Sequence, residues 1–284
     1  MKLNINILKE SPNFVNRCKE KQKQLELSGD FNLEENENSI ENAEPITEDF
    51  QYIKKGFKNW LKHLFCLNCV RIYSHLINKK LTNLKVVKNK KIKKIKGAIV
   101  TCNHISLADS FAIRKAIGAN FYYVAAEFNN FKGHMGTLAR NSGYIPLPTD
   151  LNKTKLRKFN DAISYYLKRG KKILIYPEQS MWREYLKPRP MKNGAFRYAT
   201  TNNVPIIPLF ITIKEKKQKV DENGLQNFGD YTIHILDPIY PKAELNLKEN
   251  IEYLKTQNFY AWKNLYQKTY NLPLKYSTID KSKI

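Results

Sequence analysis

Residues 97–109 read Gly97-Ala-Ile-Val-Thr-Cys-Asn-His-Ile-Ser-Leu-Ala-Asp109. A short, mainly apolar strand, Ala98 to Cys102, gives way within a few residues to a helical pattern over Ser106 to Ile117. A run of this kind is a strand covered on both faces, the condition of a parallel sheet between helices. The same alternation continues outward. Strands are expected at Phe121–Ala126, Tyr144–Leu147, Lys171–Tyr176, Val204–Ile213 and Tyr231–Leu236. Helices are expected at Asn152–Arg169, stopped by Gly170, at 192–203, and at Leu247–Tyr270 as one or two pieces. The fold class is therefore α/β, a mainly parallel sheet sandwiched by helices.

Upstream of this block, Phe57, Trp60, Leu61, Leu64, Phe65, Ile72 and Leu76 recur at helical spacing, so an amphipathic helix precedes the sheet. Lys54, Lys55, Lys58, Lys62 and Arg71 lie mostly off that stripe. Such a helix either lies in a bilayer interface with its lysines toward phosphates or packs on its own domain. From Lys79 to Lys96 there are nine lysines and no acid, a block that stays solvated or meets a polyanion. Residues 1–50 have the opposite character, with six Lys or Arg against eleven acids. The expected organisation is a flexible acidic tail over 1–50, a basic helical membrane-docking segment over 51–96 and the main domain over 97–284.

The 284 residues carry a formal charge of +23, and 42% are hydrophobic, enough for a substantial core. Nucleic acid and anionic lipid are the two obvious partners for such a charge; AT-biased coding, rich in Lys, Asn, Ile and Tyr, is the bland source of part of it. No Gly-aromatic RNA-binding run, zinc-finger spacing or helix-turn-helix signature is visible, so nucleic acid is not expected. No apolar run reaches eighteen residues, which argues against a transmembrane helix. The opening MKLNINILKESPNF lacks the apolar core of a secretory signal, and a cytoplasmic protein is expected. Cys18, Cys66, Cys69 and Cys102 form no disulfide scaffold, and Cys66-Leu-Asn-Cys69 has no second pair to complete a metal site.

His104 and Asp109 stand five residues apart at the strand-to-helix junction, so one turn brings carboxylate to imidazole. An Asp that accepts one ring N–H fixes the tautomer and supports the cation formed when the other nitrogen takes a proton, which makes His104 a general base. In order along the chain stand Asn103-His104 to Asp109, Gly143-Tyr-Ile-Pro-Leu-Pro-Thr149, Tyr176-Pro-Glu-Gln-Ser-Met181 and Val204-Pro-Ile-Ile-Pro-Leu209. Asn193-Gly194-Ala195-Phe196 follows the third.

These segments resemble the NHxxxxD, GxIxxxR, FPEGTR and VPIxPv blocks of the glycerolipid acyltransferases, the family of 1-acylglycerol-3-phosphate acyltransferase. The resemblance covers roughly residues 97–215. It implies an O-acyltransferase of phospholipid biosynthesis in which His104 deprotonates an acceptor hydroxyl. That hydroxyl attacks the thioester of acyl-CoA or acyl carrier protein, with no nucleophilic side chain, metal or cofactor. Together with the cationic amphipathic helix and the lysines of 79–96, the resemblance leads to the expectation of a peripheral protein on the cytoplasmic face of an anionic membrane. Backbone N–H groups around Pro177 to Ser180 are candidate oxyanion donors. Asn103, Gly143, Glu178, Gln179 and Ser180 would shape the acceptor site, Glu178 alternatively serving as a loop-stabilising carboxylate.

Two departures bear on the acceptor. Thr149 and Met181 stand where the family has the arginines that bind the acceptor's phosphate, and neither replaces a bidentate guanidinium. Arg183, Lys187 and Arg189 are the nearby substitutes, unless they form only a solvated basic loop. The acceptor is a lysophosphatidic acid, another lysophospholipid or a related lipid hydroxyl. A catalytically silent lipid-binding homologue is the alternative.

Overall fold

A computed structural model describes residues 8–35, 43–150, 152–217 and 219–278. Near-continuous apolar strands form its centre, because each is covered on both faces and has no polar side to offer water. The strands are β1 (Lys85–Val87), β2 (Ala98–Thr101), β3 (Tyr122–Ala126), β4 (Tyr144–Leu147), β5 (Lys172–Ile175), β6 (Ile206–Lys214) and β7 (Asp230–Ile235). They form one sheet in the order β1-β7-β6-β2-β5-β3-β4. Every neighbouring pair is parallel except β6–β7. Helices are α1 (Pro12–Ser28), α2 (Phe57–Lys80), α3 (Asp109–Ile117), α4 (Gly133–Asn141), α5 (Lys153–Lys168), α6 (Gly194–Thr201) and α7 (Leu247–Tyr270).

Alternate residues of each strand enter opposite cores. Val100, Leu174, Ile207 and Leu209 pack with Ile77 of α2 and Ala112 and Ile113 of α3. Ile99, Ile173, Ile206 and Phe210 pack with Phe159 and Ile163 of α5, Phe196 of α6 and Trp262 of α7. The Trp262 and Phe210 ring centroids lie 5.5 Å apart. The expected α/β sandwich is thus the fold, and α7 is a single helix opened by an Asn246–Glu249 capping box.

Gly143 enters β4 with φ +108°, and a Cβ there would stand 2.5 Å from the Phe121 carbonyl oxygen. Its carbonyl accepts from Tyr123 N–H. This glycine therefore lets two strands approach, which corrects its expected place in the acceptor site.

Two expectations about the N-terminal third are also corrected. The acidic tail is not free: Ser11 caps α1, Pro12 begins it, and Gly29 at φ +80° ends it. Val15, Cys18 and Leu25 are buried, and Leu25, Phe31 and Trp182 form a small apolar cluster. Ile46 and Tyr52 join the α5 core. Few apolar residues point inward, so the segment looked disordered by composition although each is docked; residues 1–7 and 36–42 of the expected tail lie outside the described residues.

The second correction concerns the lysine block, whose residues Lys85–Val87 form β1 beside β7, so the sheet begins before residue 97. Lysine on an edge strand keeps its ammonium in water while the backbone pairs.

Of the two readings of α2, the structure leaves the one in which its apolar stripe faces outward. Phe57, Trp60, Leu61, Leu64, Phe65 and Ile72 are exposed. The opposite face, with Cys66, Leu67, Val70, Ser74 and Ile77, is buried, and Asn78 donates to the Phe111 carbonyl of α3. The stripe therefore does not serve packing on the domain. Cys66 and Cys69 are free thiols of this helix.

Docking of α1 has a measurable consequence. Leu25→Ala removes a buried side chain beside Trp182, and it should lower the unfolding free energy by about 2–5 kcal/mol in denaturant titration. A flexible tail would leave the midpoint unchanged.

Candidate active site

The parallel strands deliver their following loops to one edge of the sheet, the usual place for a site in this architecture. β2 runs into Cys102-Asn103-His104 and β5 into Tyr176-Pro177-Glu178. Thr101 and Ile175 are paired across the two strands, so the two loops start side by side.

Asp109 opens α3 with its side chain fully buried. Its Oδ2 accepts from His104 Nδ1 at 2.9 Å and from the N–H groups of Ile105 and Ser106 at 2.8 and 3.0 Å. Ser106 Oγ accepts from Ala108 N–H. These turn bonds start the helix at Asp109 rather than at the expected Ser106. Burial pushes the Asp109 carboxyl above its ordinary value, against the pull of His104 and the two amides. The carboxylate accepts, so Nδ1 carries the proton and Nε2 is the basic nitrogen. Only about a quarter of the His104 side chain is exposed. Its ring stacks on Tyr176 with centroids 3.9 Å apart and planes at 11°. Burial holds the Tyr176 phenol well above its ordinary pKa, so it stays neutral beneath the imidazole.

Asn103 is buried, and both ends of its amide are used by β6: Nδ2 donates to the Ile211 carbonyl and Oδ1 accepts from Ile211 N–H. It positions the turn, which corrects its expected contact with substrate. Glu178 is likewise buried. Its Oε2 accepts from His104 N–H at 3.1 Å and from Arg189 Nη2 at 2.9 Å, and Oε1 accepts from Arg189 N–H. The loop-stabilising reading of Glu178 is the one these contacts support.

Ser180 is also buried, its Oγ accepting from Arg189 Nη1 and donating to the Phe31 carbonyl. Gln179 is exposed at φ +67°, a left-handed backbone that favours glycine, the family's residue at that place. The N–H groups of Gln179 and Ser180 donate to Tyr176 and Glu178 carbonyls, so these two expected oxyanion donors are engaged in the turn itself. Thr149 lies at the end of β4, exposed, with N–H and Oγ1 both on Glu127 Oε2.

The cations expected to replace the missing arginines are all committed to carboxylates. Arg183 makes a two-pronged pair with Glu10, with Nη2–Oε1 at 2.9 Å. Lys187 pairs with Glu26 at 2.7 Å, and Arg189, almost fully buried, pairs with Glu178. A buried ionised group requires a partner, so neither an open phosphate cradle nor a solvated basic loop describes the three.

The residues that sequence reasoning missed come from the N-terminal arm. Glu34 accepts from Met181 N–H and Glu35 from Arg183 N–H. Leu33 carbonyl accepts from Trp182 Nε1. His104, Leu107, Phe128, Met181 and Arg183 then line a cavity of about 160 Å³ whose remaining wall includes Glu10, Phe14, Glu34 and Glu35. Burial lifts the Glu34 carboxyl above its ordinary value, opposed by Met181 N–H and by the nearby His104 and Arg189. Burial lifts Glu10 too, with Arg183 pulling it back. No short motif announces these contacts; only the acidic composition of residues 30–35 hinted at them.

Residues 83–212 match the family model described as Acyltransferase. An uncharacterised acyltransferase of Schizosaccharomyces pombe is 28% identical over 162 residues, 55% of this chain and 56% of the relative. The chloroplastic 1-acyl-sn-glycerol-3-phosphate acyltransferase of Brassica napus is 23% identical over 148 residues, 52% of this chain and 42% of the relative. The chain thus spans about half the length of the curated relatives it matches. The crystal structure of the 1-acyl-sn-glycerophosphate acyltransferase of Thermotoga maritima shares the fold, with a TM-score of 0.55 at 19% identity over 72% of this chain and 80% of that one. All four sequence blocks lie within residues 83–212, the part of the chain that is similar to the acyltransferase family, and the blocks after β2 and β5 meet at one edge of a sheet with the fold of a 1-acyl-sn-glycerophosphate acyltransferase.

Proposed function

We propose that the chain moves an acyl group from a thioester, acyl-CoA or acyl carrier protein, to the hydroxyl of a lysophospholipid or related lipid. The observation that carries this reading is the 2.9 Å contact of buried Asp109 with Nδ1 of His104, which lines a cavity. Nε2 of His104 takes the hydroxyl proton as the oxygen attacks the thioester carbon. The C–O bond forms, the C–S bond breaks, and the imidazolium returns the proton to the departing thiolate. A thiolate leaves readily, so the step calls for no covalent intermediate on the enzyme. A mainly apolar cavity of about 120 Å³, lined by Val70, Tyr73, Phe111, Tyr123 and Leu138 and also by Arg114, lies beside the first turn of α3. We assign it to the acyl chain.

We also propose peripheral docking on the cytoplasmic face of an anionic membrane. The outward stripe of α2 presents Phe57, Trp60, Leu61 and Phe65 to solvent, beside exposed Lys58 and Lys62. Among the described residues no helix is long and apolar enough to cross a bilayer. Aromatics at the interface with lysines toward headgroups are the interaction such a surface makes.

His104→Ala and Asp109→Asn should each lower turnover by about 10²–10⁴-fold with the fold retained, because base and orienting carboxylate act as one unit. Thiol release coupled to acylated product, followed by mass, is the measurement. Near-normal turnover in folded His104→Ala protein would defeat the mechanism, and thiol-independent lipid binding alone would mark a silent homologue.

Flotation with vesicles should strengthen with anionic lipid and weaken with salt, since each surface-near lysine contributes about 1 kcal/mol and is screened within about 8 Å. The Trp60→Ser/Phe65→Ser variant should float poorly; unchanged flotation would exclude α2 as the docking face.

A further inference from the structure

We infer that the N-terminal arm sets acceptor specificity, with Glu10 and Glu34 turning the cavity beside His104 against a phosphate monoester. This rests on the acyl-transfer reading and adds the headgroup class: the accepted hydroxyl belongs to a lipid without a terminal phosphate beside it.

Charge on the cavity wall is mostly of one sign. Among the described residues, one permanently cationic side chain lines the cavity, Arg183, and both its prongs are taken by Glu10. The cavity wall also carries Glu34 and Glu35, so three carboxyl groups and one guanidinium line it. Lys187 and Arg189 do not line the cavity and are paired with Glu26 and Glu178, although Arg189 lies near enough to Glu34 to pull on its carboxyl. A phosphate monoester, close to doubly negative at neutral pH, meets uncompensated like charge there, and like-charge juxtaposition is the repulsive element that specificity requires.

The arm is a built part of the wall rather than a passing strand. Phe31 carbonyl accepts from Arg189 Nη1, Leu33 carbonyl from Trp182 Nε1, and Gln22 Nε2 donates to the Arg183 carbonyl at 2.9 Å. Glu34 and Glu35 hold the N–H groups of Met181 and Arg183. Met181 is the position where the sequence lacks the family's arginine, so the arm places a carboxylate where a phosphate-binding cation is missing. The two departures act in the same direction.

The test uses the full chain, one acyl-CoA, and three acceptors: lysophosphatidic acid, lysophosphatidylcholine and monoacylglycerol. In the unaltered protein kcat/KM for lysophosphatidic acid should be the lowest of the three. Glu10→Gln/Glu34→Gln should raise the ratio of lysophosphatidic acid to monoacylglycerol by about tenfold, as Arg183 is freed and one further charge removed. Adding Arg183→Met should cancel much of that gain. Should the double variant fail to fold, the same ratio is read for the unaltered protein at low and high salt. Repulsion predicts that it rises with salt, attraction that it falls. A preference of the unaltered protein for lysophosphatidic acid, a ratio unmoved in folded variants, or a fall with salt overturns the assignment. Absence of thiol release with all three acceptors overturns acyl transfer itself.

Discussion

One oxygen atom, Oδ2 of Asp109, gathers three N–H donors: the imidazole of His104 and the amides of Ile105 and Ser106. Those three bonds bend the chain out of β2, start α3 and select the tautomer of His104. Complete burial makes the carboxylate costly, and this convergence of donors on Oδ2 offsets part of that cost. Displacing it would disturb the turn, the helix start and the base together. Local geometry and chemistry are therefore the same interaction seen from two sides.

A second buried carboxylate joins the neighbouring loop to the first. Glu178 binds the backbone of His104 and the guanidinium of Arg189, while Trp182 and Glu184 donate to the carbonyls of His104 and Ile105. The loop after β5 is thus zipped to the loop after β2, with Tyr176 stacked on the imidazole between them. In the proposed reaction, walls fixed in this way would hold the acceptor hydroxyl at one distance from His104, and positioning of that kind is a large part of catalysis by proton transfer.

Charge is segregated on the molecule. The chain carries +23 overall, yet the cavity wall beside His104 draws on the acidic N-terminal arm. Lysines lie instead along α2 and the edge segment after it, in water. A cationic exterior favours anionic surfaces, while ion pairs inside neutralise Arg183, Lys187 and Arg189. Net charge and local charge consequently carry different information about partners.

The sequence by itself determined the alternation of apolar strands and helices, and it placed His104 and Asp109 at one strand-to-helix junction. These are local properties: a strand buried on both faces shows as an apolar run, and five residues span one turn. Tertiary structure alone decided the fate of the charged side chains and of the amphipathic pieces. Glu10 and Arg183 are 173 positions apart, and Glu26 and Lys187 are 161 apart, so no window of sequence contains either pair. The stripe of α2 was legible as a stripe, but whether it faced the core or solvent depended on which side α3 covered. The arm was hidden for the same reason: Val15, Cys18 and Leu25 make a weak pattern that becomes a docked helix only when Trp182 and the loop around it supply the opposite surface. Burial and ion pairing are set by neighbours in space, and chain order does not encode them.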